Sequence, residues 1–94
     1  MTAPGIDPAS CPALAHGVKM RFDAARGQWM LNAPERVLLL DEIAHAILSR
    51  CDGERTVDTL CRDLAVEFAA PQEIIQADVV EMLASMIDRG FIRL

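Results

Sequence analysis

A chain of 94 residues has room for one domain, and a hydrophobic fraction of 52% supplies it with a modest core built around few aromatic rings. No run of about 18 apolar residues occurs, which excludes a membrane-spanning helix. The net charge of −5 is uneven: residues 1–40 carry four basic and three acidic side chains (+1), residues 41–94 five and eleven (−6), so there is no basic stripe for nucleic acid.

The first stretch, MTAPGIDPASCPALAHG, has neither a basic start nor a continuous apolar run, so it is not a secretory signal and a cytoplasmic location is expected. Its prolines and Gly5 disfavour regular structure, and residues 1–16 are expected to form a flexible arm ahead of a domain over 17–94. From Gly17 the pattern alternates. Val18, Met20 and Phe22 interleave with Lys19, Arg21 and Asp23, as in a half-buried strand. DAARGQ supplies a turn, with Gly27 free to take a positive φ. QWMLN resumes extended structure, NAPE turns again at Pro34, and RVLLL makes a third strand. Short connections make this an antiparallel meander, with residues 18–22 and 36–40 at its two edges.

Asp41 is placed to cap a helix that carries Ile43, Ala44, Ile47, Leu48 and Cys51 on one apolar stripe. CDGE ends it, with Gly53 suited to the closing position. Thr56 caps a second helix bearing Val57, Leu60, Cys61, Leu64, Ala65 and Phe68. Pro71 opens a third, whose stripe is Ile75, Val79, Met82, Leu83 and Met86, widened by Ile74, Val80 and Ile87 and closed by Gly90. Three antiparallel strands followed by three helices read as an α+β domain of winged helix-turn-helix type.

Cys11, Cys51 and Cys61 are odd in number and form no CxxC pair. In a reduced compartment they are expected as free thiols, with Cys51 and Cys61 buried at helical positions. His16 and His45 complete no four-ligand cluster, so no metal is expected. No catalytic constellation or phosphate loop appears, which points away from an enzyme and from a resident cofactor.

Two binding functions remain. A winged helix could be a DNA-binding regulator, but residues 71–89 carry Glu73, Asp78, Glu81 and Asp88 against Arg89 alone, and such a helix repels phosphates. The alternative is a peptide-binding module. Val37, Leu38, Leu39 and Leu40 form a sticky edge with only Glu35 and Arg36 to guard it, and an unpaired edge accepts an added strand. The same edge permits self-pairing, so both a monomer and a homodimer are compatible with it.

The order and spacing of several short pieces resemble a known family. They are Leu14 and Gly17 before the first strand, APE at 33–35, AIL at 46–48, CDG at 51–53 and DV at 78–79. Over residues 13–94 the chain is similar to the PqqD family, the peptide chaperones (RiPP recognition elements) of pyrroloquinoline quinone biosynthesis. Asp41 stands where the family usually has Asn, and Ile43 where it often has Ser or Thr. The resemblance implies a domain that binds the ribosomally made precursor peptide of pyrroloquinoline quinone (PQQ) through its leader. It further implies presentation of that peptide to a radical S-adenosylmethionine (radical SAM) enzyme for Glu–Tyr cross-linking. The family's peptide site, carried onto this chain, comprises Arg36, Val37, Leu38, Leu39 and Leu40 on the third strand, with Ile75, Asp78, Val79 and Met82 on the last helix.

Overall fold

The computed structural model describes residues 6–94. A two-stranded sheet pairs β1 (Ala13–Leu14) with β5 (Ile92–Arg93), and a three-stranded antiparallel meander is formed by β2 (Lys19–Asp23), β3 (Gln28–Ala33) and β4 (Arg36–Leu40) in that spatial order. Helices α1 (Glu42–Leu48), α2 (Val57–Glu67) and α3 (Gln72–Asp88) follow the meander. This is the expected three-strand, three-helix order, with β2 and β4 at the sheet edges.

Register fixes which side chains face the helices. Met20, Leu31 and Leu38 lie opposite one another, as do Phe22, Trp29 and Leu40. Residues directly opposite share a face, so this set forms the inner face, on which Leu31 and Leu40 are fully enclosed. The core continues into Ala44, Ile47 and Leu48 of α1, Leu60 and Leu64 of α2, and Val79 and Leu83 of α3. Phe22 departs from the expected half-buried pattern. It lies exposed, with its edge toward the Trp29 ring at 5.3 Å, because the inner face extends past the helices at that end.

Local signals set the helix starts. The Asp41 carboxylate accepts from the Ala44 amide at 2.7 Å, and the Thr56 hydroxyl from the Thr59 amide at 3.1 Å. Pro71 stands one residue before α3 and supplies no side-chain cap. Helix α2 ends with Ala69 at φ +49°, where the Ala70 amide reaches back to the Ala65 carbonyl at 3.1 Å, the closing geometry that glycine usually serves. Helix α1 stops at Leu48, so Cys51 lies in the turn beyond it rather than on a helical stripe. It is buried nonetheless, its thiol donating to the Ile47 carbonyl at 3.4 Å.

The N-terminal stretch differs most from expectation. Residues 1–5 of the expected arm lie outside the described residues. Over residues 6–16 the chain is bonded to the domain. The amides of Gly53, Val57 and Asp58 donate to the carbonyls of Pro12, Ser10 and Pro8 at 2.9, 2.9 and 3.0 Å. Two of these three donors are first-turn amides of α2 that no helical carbonyl satisfies. Proline keeps its carbonyl, so a proline-rich segment serves as the acceptor. Ala13 and Leu14 then pair with Arg93 and Ile92, and Pro12 and Ala13 are buried. The closing residues FIRL thus form a strand whose partner is this segment.

Candidate functional site: a strand edge beside an apolar groove

Strand β4 pairs with β3 along one side, and among the described residues no strand pairs with its other side. The phase of its hydrogen bonds follows from the turn. Ala33 and Arg36 are partners across the two residues Pro34 and Glu35. Pro34 has no amide to give, so Ala33 and Arg36 must be the pair that exchanges both bonds. Alternation then aims the amides of Leu38 and Leu40 at β3 and those of Val37 and Leu39 at the free edge. Among the described residues no backbone bond from the Val37 or Leu39 amide is made outside the sheet.

Beyond Leu40 the chain turns into α1, and a groove opens between α1 and α3. One part, about 210 Å³, is walled by Ile43, Ile47, Leu64, Phe68, Ile74, Ile75 and Val79 and is almost wholly apolar. It continues into a wider part of about 450 Å³ bounded by Asp41, Glu81, Met82, Ser85 and Met86, with Ile43, Ile47 and Asp78 shared between the two. The spacing of Ile75, Asp78 and Met82 along α3 puts all three on the groove side of that helix. Asp41, Asp78 and Glu81 have no cationic side chain within ion-pair distance among the described residues. The groove therefore combines an aliphatic floor with an anionic rim.

The nine residues singled out from sequence fall into four groups. Ile75, Asp78, Val79 and Met82 meet in the groove, although Val79, at 1% exposure, offers it little surface. Leu38 and Leu40 point inward, and Leu40, 3% exposed, belongs to the core. Val37 and Leu39, 55% and 41% exposed, stand on the opposite, outer face of the sheet. The Arg36 guanidinium lies over the Phe91 ring at 4.3 Å. None of these five β4 side chains lines the groove; what β4 offers beside it is backbone.

Sequence reasoning missed the α1 wall. Ile43 belongs to the apolar stripe of its helix but not to the site read from the sequence, yet it is 55% exposed and lines both parts of the groove with Ile47. A large apolar residue two positions after an N-cap aspartate, where the helix has barely turned inward, is the available signal. Phe68, Ile74, Glu81, Ser85 and Met86 were likewise outside the assigned site.

Among the described residues no group of His, Cys, Asp and Glu is arranged to hold a metal ion. Burial pushes the Cys51 thiol up to about 12, aided by the Asp52 carboxylate, and raises the Cys61 thiol as well, with Asp58 contributing. Neither is a thiolate at neutral pH, which leaves them unsuited to nucleophilic or ligand roles. No helix of the described residues is long and apolar enough to cross a membrane.

Comparison with known proteins gives a consistent answer. A PqqA binding protein of Bradyrhizobium diazoefficiens is 44% identical over 87 residues, covering 93% of this chain and 84% of that protein. The solution structure of the PqqD truncation of Methylobacterium extorquens PqqCD superposes with a TM-score of 0.81 at 34% identity, over 96% of both chains. That protein is described as a functional and stand-alone recognition element for ribosomally synthesized and post-translationally modified peptides. The crystal structure of PqqD from Xanthomonas campestris is 41% identical with a TM-score of 0.60, over 96% of this chain and 100% of that one. The family model for coenzyme PQQ synthesis protein D (PqqD) matches residues 28–92, from β3 to β5 and so through the edge strand and both walls of the groove. The chain belongs to the PqqD family.

Proposed function

We propose that the chain is a non-enzymatic carrier in the cytoplasm that binds the PqqA precursor peptide of PQQ biosynthesis through its leader and presents it to a radical SAM enzyme for Glu–Tyr cross-linking. The observation that carries this reading is the free edge of β4, with the Val37 and Leu39 amides aimed outward, running into a groove lined by Ile43, Ile47, Ile75 and Met82. An extended leader adds to the edge by main-chain bonds and sets alternate side chains into the groove. Relatives that bear the name PqqA binding protein, and a structural relative described as a recognition element, support the same partner. Chemistry is left to the enzyme, since the buried thiols are protonated and the groove carboxylates stand on its rim.

The test is a titration with the full-length precursor peptide encoded alongside this chain, with duplex DNA in parallel. Saturable binding of the peptide with none of the DNA is expected. Binding of DNA alone would replace this reading with that of a winged-helix regulator, although α3 carries four carboxylates and no Lys or Arg between Gln72 and Asp88.

A further inference from the structure

The outer face of the meander is not explained by the groove. Its cross-strand rows are Lys19–Asn32–Val37, Arg21–Met30–Leu39 and Asp23–Gln28, the Asp23 carboxylate being paired with Arg26. An antiparallel sheet with one solvated face normally turns polar residues outward. Here β4 is apolar on both faces, and Val37, Leu39 and the half-buried Met30 make one contiguous outer patch. Lys19 and Arg21 border it on β2, both exposed, and neither has a carboxylate within ion-pair distance among the described residues. Arg26, Arg50, Arg55 and Arg62, by contrast, are each paired within the chain. A chain of net charge −5 thus keeps an apolar patch with a cationic margin on the side of the sheet away from its acidic groove.

We propose that this outer face is the docking surface for the modifying enzyme, which meets it with an apolar centre flanked by carboxylates. The assignment rests on the carrier function proposed above. Charge complementarity to Lys19 and Arg21 sets the sign of the partner. Continuity sets its identity. A peptide added as a strand beside β4 lies flush with this face, and its outward side chains stand next to Val37 and Leu39. A protein seated on the outer face therefore touches carrier and cargo together, as the enzyme that acts on the cargo must. The groove, on the other side, stays free for the leader while the enzyme is docked.

The experiment measures binding of the full chain to the radical SAM enzyme of the same genome, and to the precursor peptide, for the parent and for Lys19→Glu/Arg21→Glu, Arg21→Gln and Met30→Thr. These residues lie on β2 and β3, away from both the β4 edge and the groove. Arg21→Gln keeps the side-chain stem, so one charge variant remains usable if the double reversal does not fold. Enzyme affinity is expected to fall at least about tenfold in the double reversal and about threefold in Arg21→Gln and Met30→Thr, with peptide affinity within about twofold of the parent. The enzyme affinity of the parent should weaken as salt rises, and the double reversal should lose that dependence. Enzyme affinity unchanged in all variants overturns the assignment. A parent that binds peptide but no enzyme overturns it while leaving the peptide reading intact, and a parent that binds neither overturns both. A dimer of the parent that Met30→Thr dissolves would give the face to a second copy of this chain and also overturn it.

Discussion

Replacing Leu39 by proline removes an amide that the fold does not use, whereas replacing Leu38 removes one that it does. The phase follows from Pro34, which forces Ala33 and Arg36 to be the doubly bonded pair and leaves the Leu39 amide on the free edge. In Leu38→Pro, the bond to Leu31 is lost at about 1 kcal/mol, the Leu31 carbonyl is left unsatisfied inside the sheet at about 1–3 kcal/mol, and packing of a half-buried leucine is lost at about 1 kcal/mol. The sum, about 3–5 kcal/mol, is a large share of the roughly 5–14 kcal/mol typical of a chain this size. In Leu39→Pro no ladder bond is lost, and the constraint on φ costs about 1 kcal/mol or less. Its effect falls on the ligand: one missing main-chain bond weakens peptide binding by about 1 kcal/mol, about fivefold, and the ring on the edge adds to that. Trp29, opposite Leu40 in the sheet and stacked on His45 at 4.5 Å, reports unfolding in urea, and a labelled peptide reports binding by anisotropy. Leu39→Pro should keep most of its stability and lose peptide affinity; Leu38→Pro should lose stability outright. Two variants that fold and bind like the parent would show that β4 is not the docking edge. A stable Leu38→Pro beside an unfolded Leu39→Pro would refute the hydrogen-bond phase.

Asp41→Ala should destabilise the chain by about 1 kcal/mol through loss of the cap on Ala44, read as a lower urea midpoint. Ala69→Gly should leave stability unchanged or raise it by up to about 1 kcal/mol, against the usual loss for Ala→Gly, because φ at 69 is positive; a drop in midpoint would contradict that geometry. The Cys51 thiol has its folded value raised from 9.0 to about 12, so its contribution is complete below pH 9 and is lost as pH rises toward 12. Stability should therefore fall above pH 9, and the slope should flatten in Cys51→Ala; an equal slope would assign it to other groups. The purified chain should hold no stoichiometric zinc or iron by elemental analysis, and replacing all three cysteines should leave peptide affinity unchanged once any loss of stability is allowed for.

What was legible in the sequence was legible for local reasons. The meander and its edges followed from alternation and from Pro34, and the starts of α1 and α2 from side chains that cap their own helices. The N-terminal segment gave no such sign, because its carbonyls, not its side chains, bond the first turn of α2 and the Gly53 amide. Periodicity placed Ile43 and Ile47 on one stripe, but it cannot say where a neighbouring helix leaves that stripe uncovered. In the same way RVLLL identified a sticky strand without dividing it. Only the register with β3 separates Leu38 and Leu40, which serve the core, from Val37 and Leu39, which face outward.

The small sheet of β1 and β5 has a consequence for how the chain acquires its shape. Pairing Ala13 with Arg93 and Leu14 with Ile92 closes a loop around nearly everything else in the fold. Such closure comes with a large entropy loss set against two residues of pairing, so it should be among the last contacts to form and the first to open. Strand β5 follows α3 directly through Gly90 and Phe91, with the Ala15 amide donating to the Phe91 carbonyl at 2.9 Å. Opening this clasp frees the far end of the helix that walls the groove while the meander stays intact. In hydrogen exchange the amides of Ala13, Ala15 and Arg93, which donate across this pairing, should belong to a lower-energy unit than those of Leu31 and Leu38. The α3 wall of the groove is thus held at its end by the longest-range pairing of the described residues, made by a segment that does not line the groove.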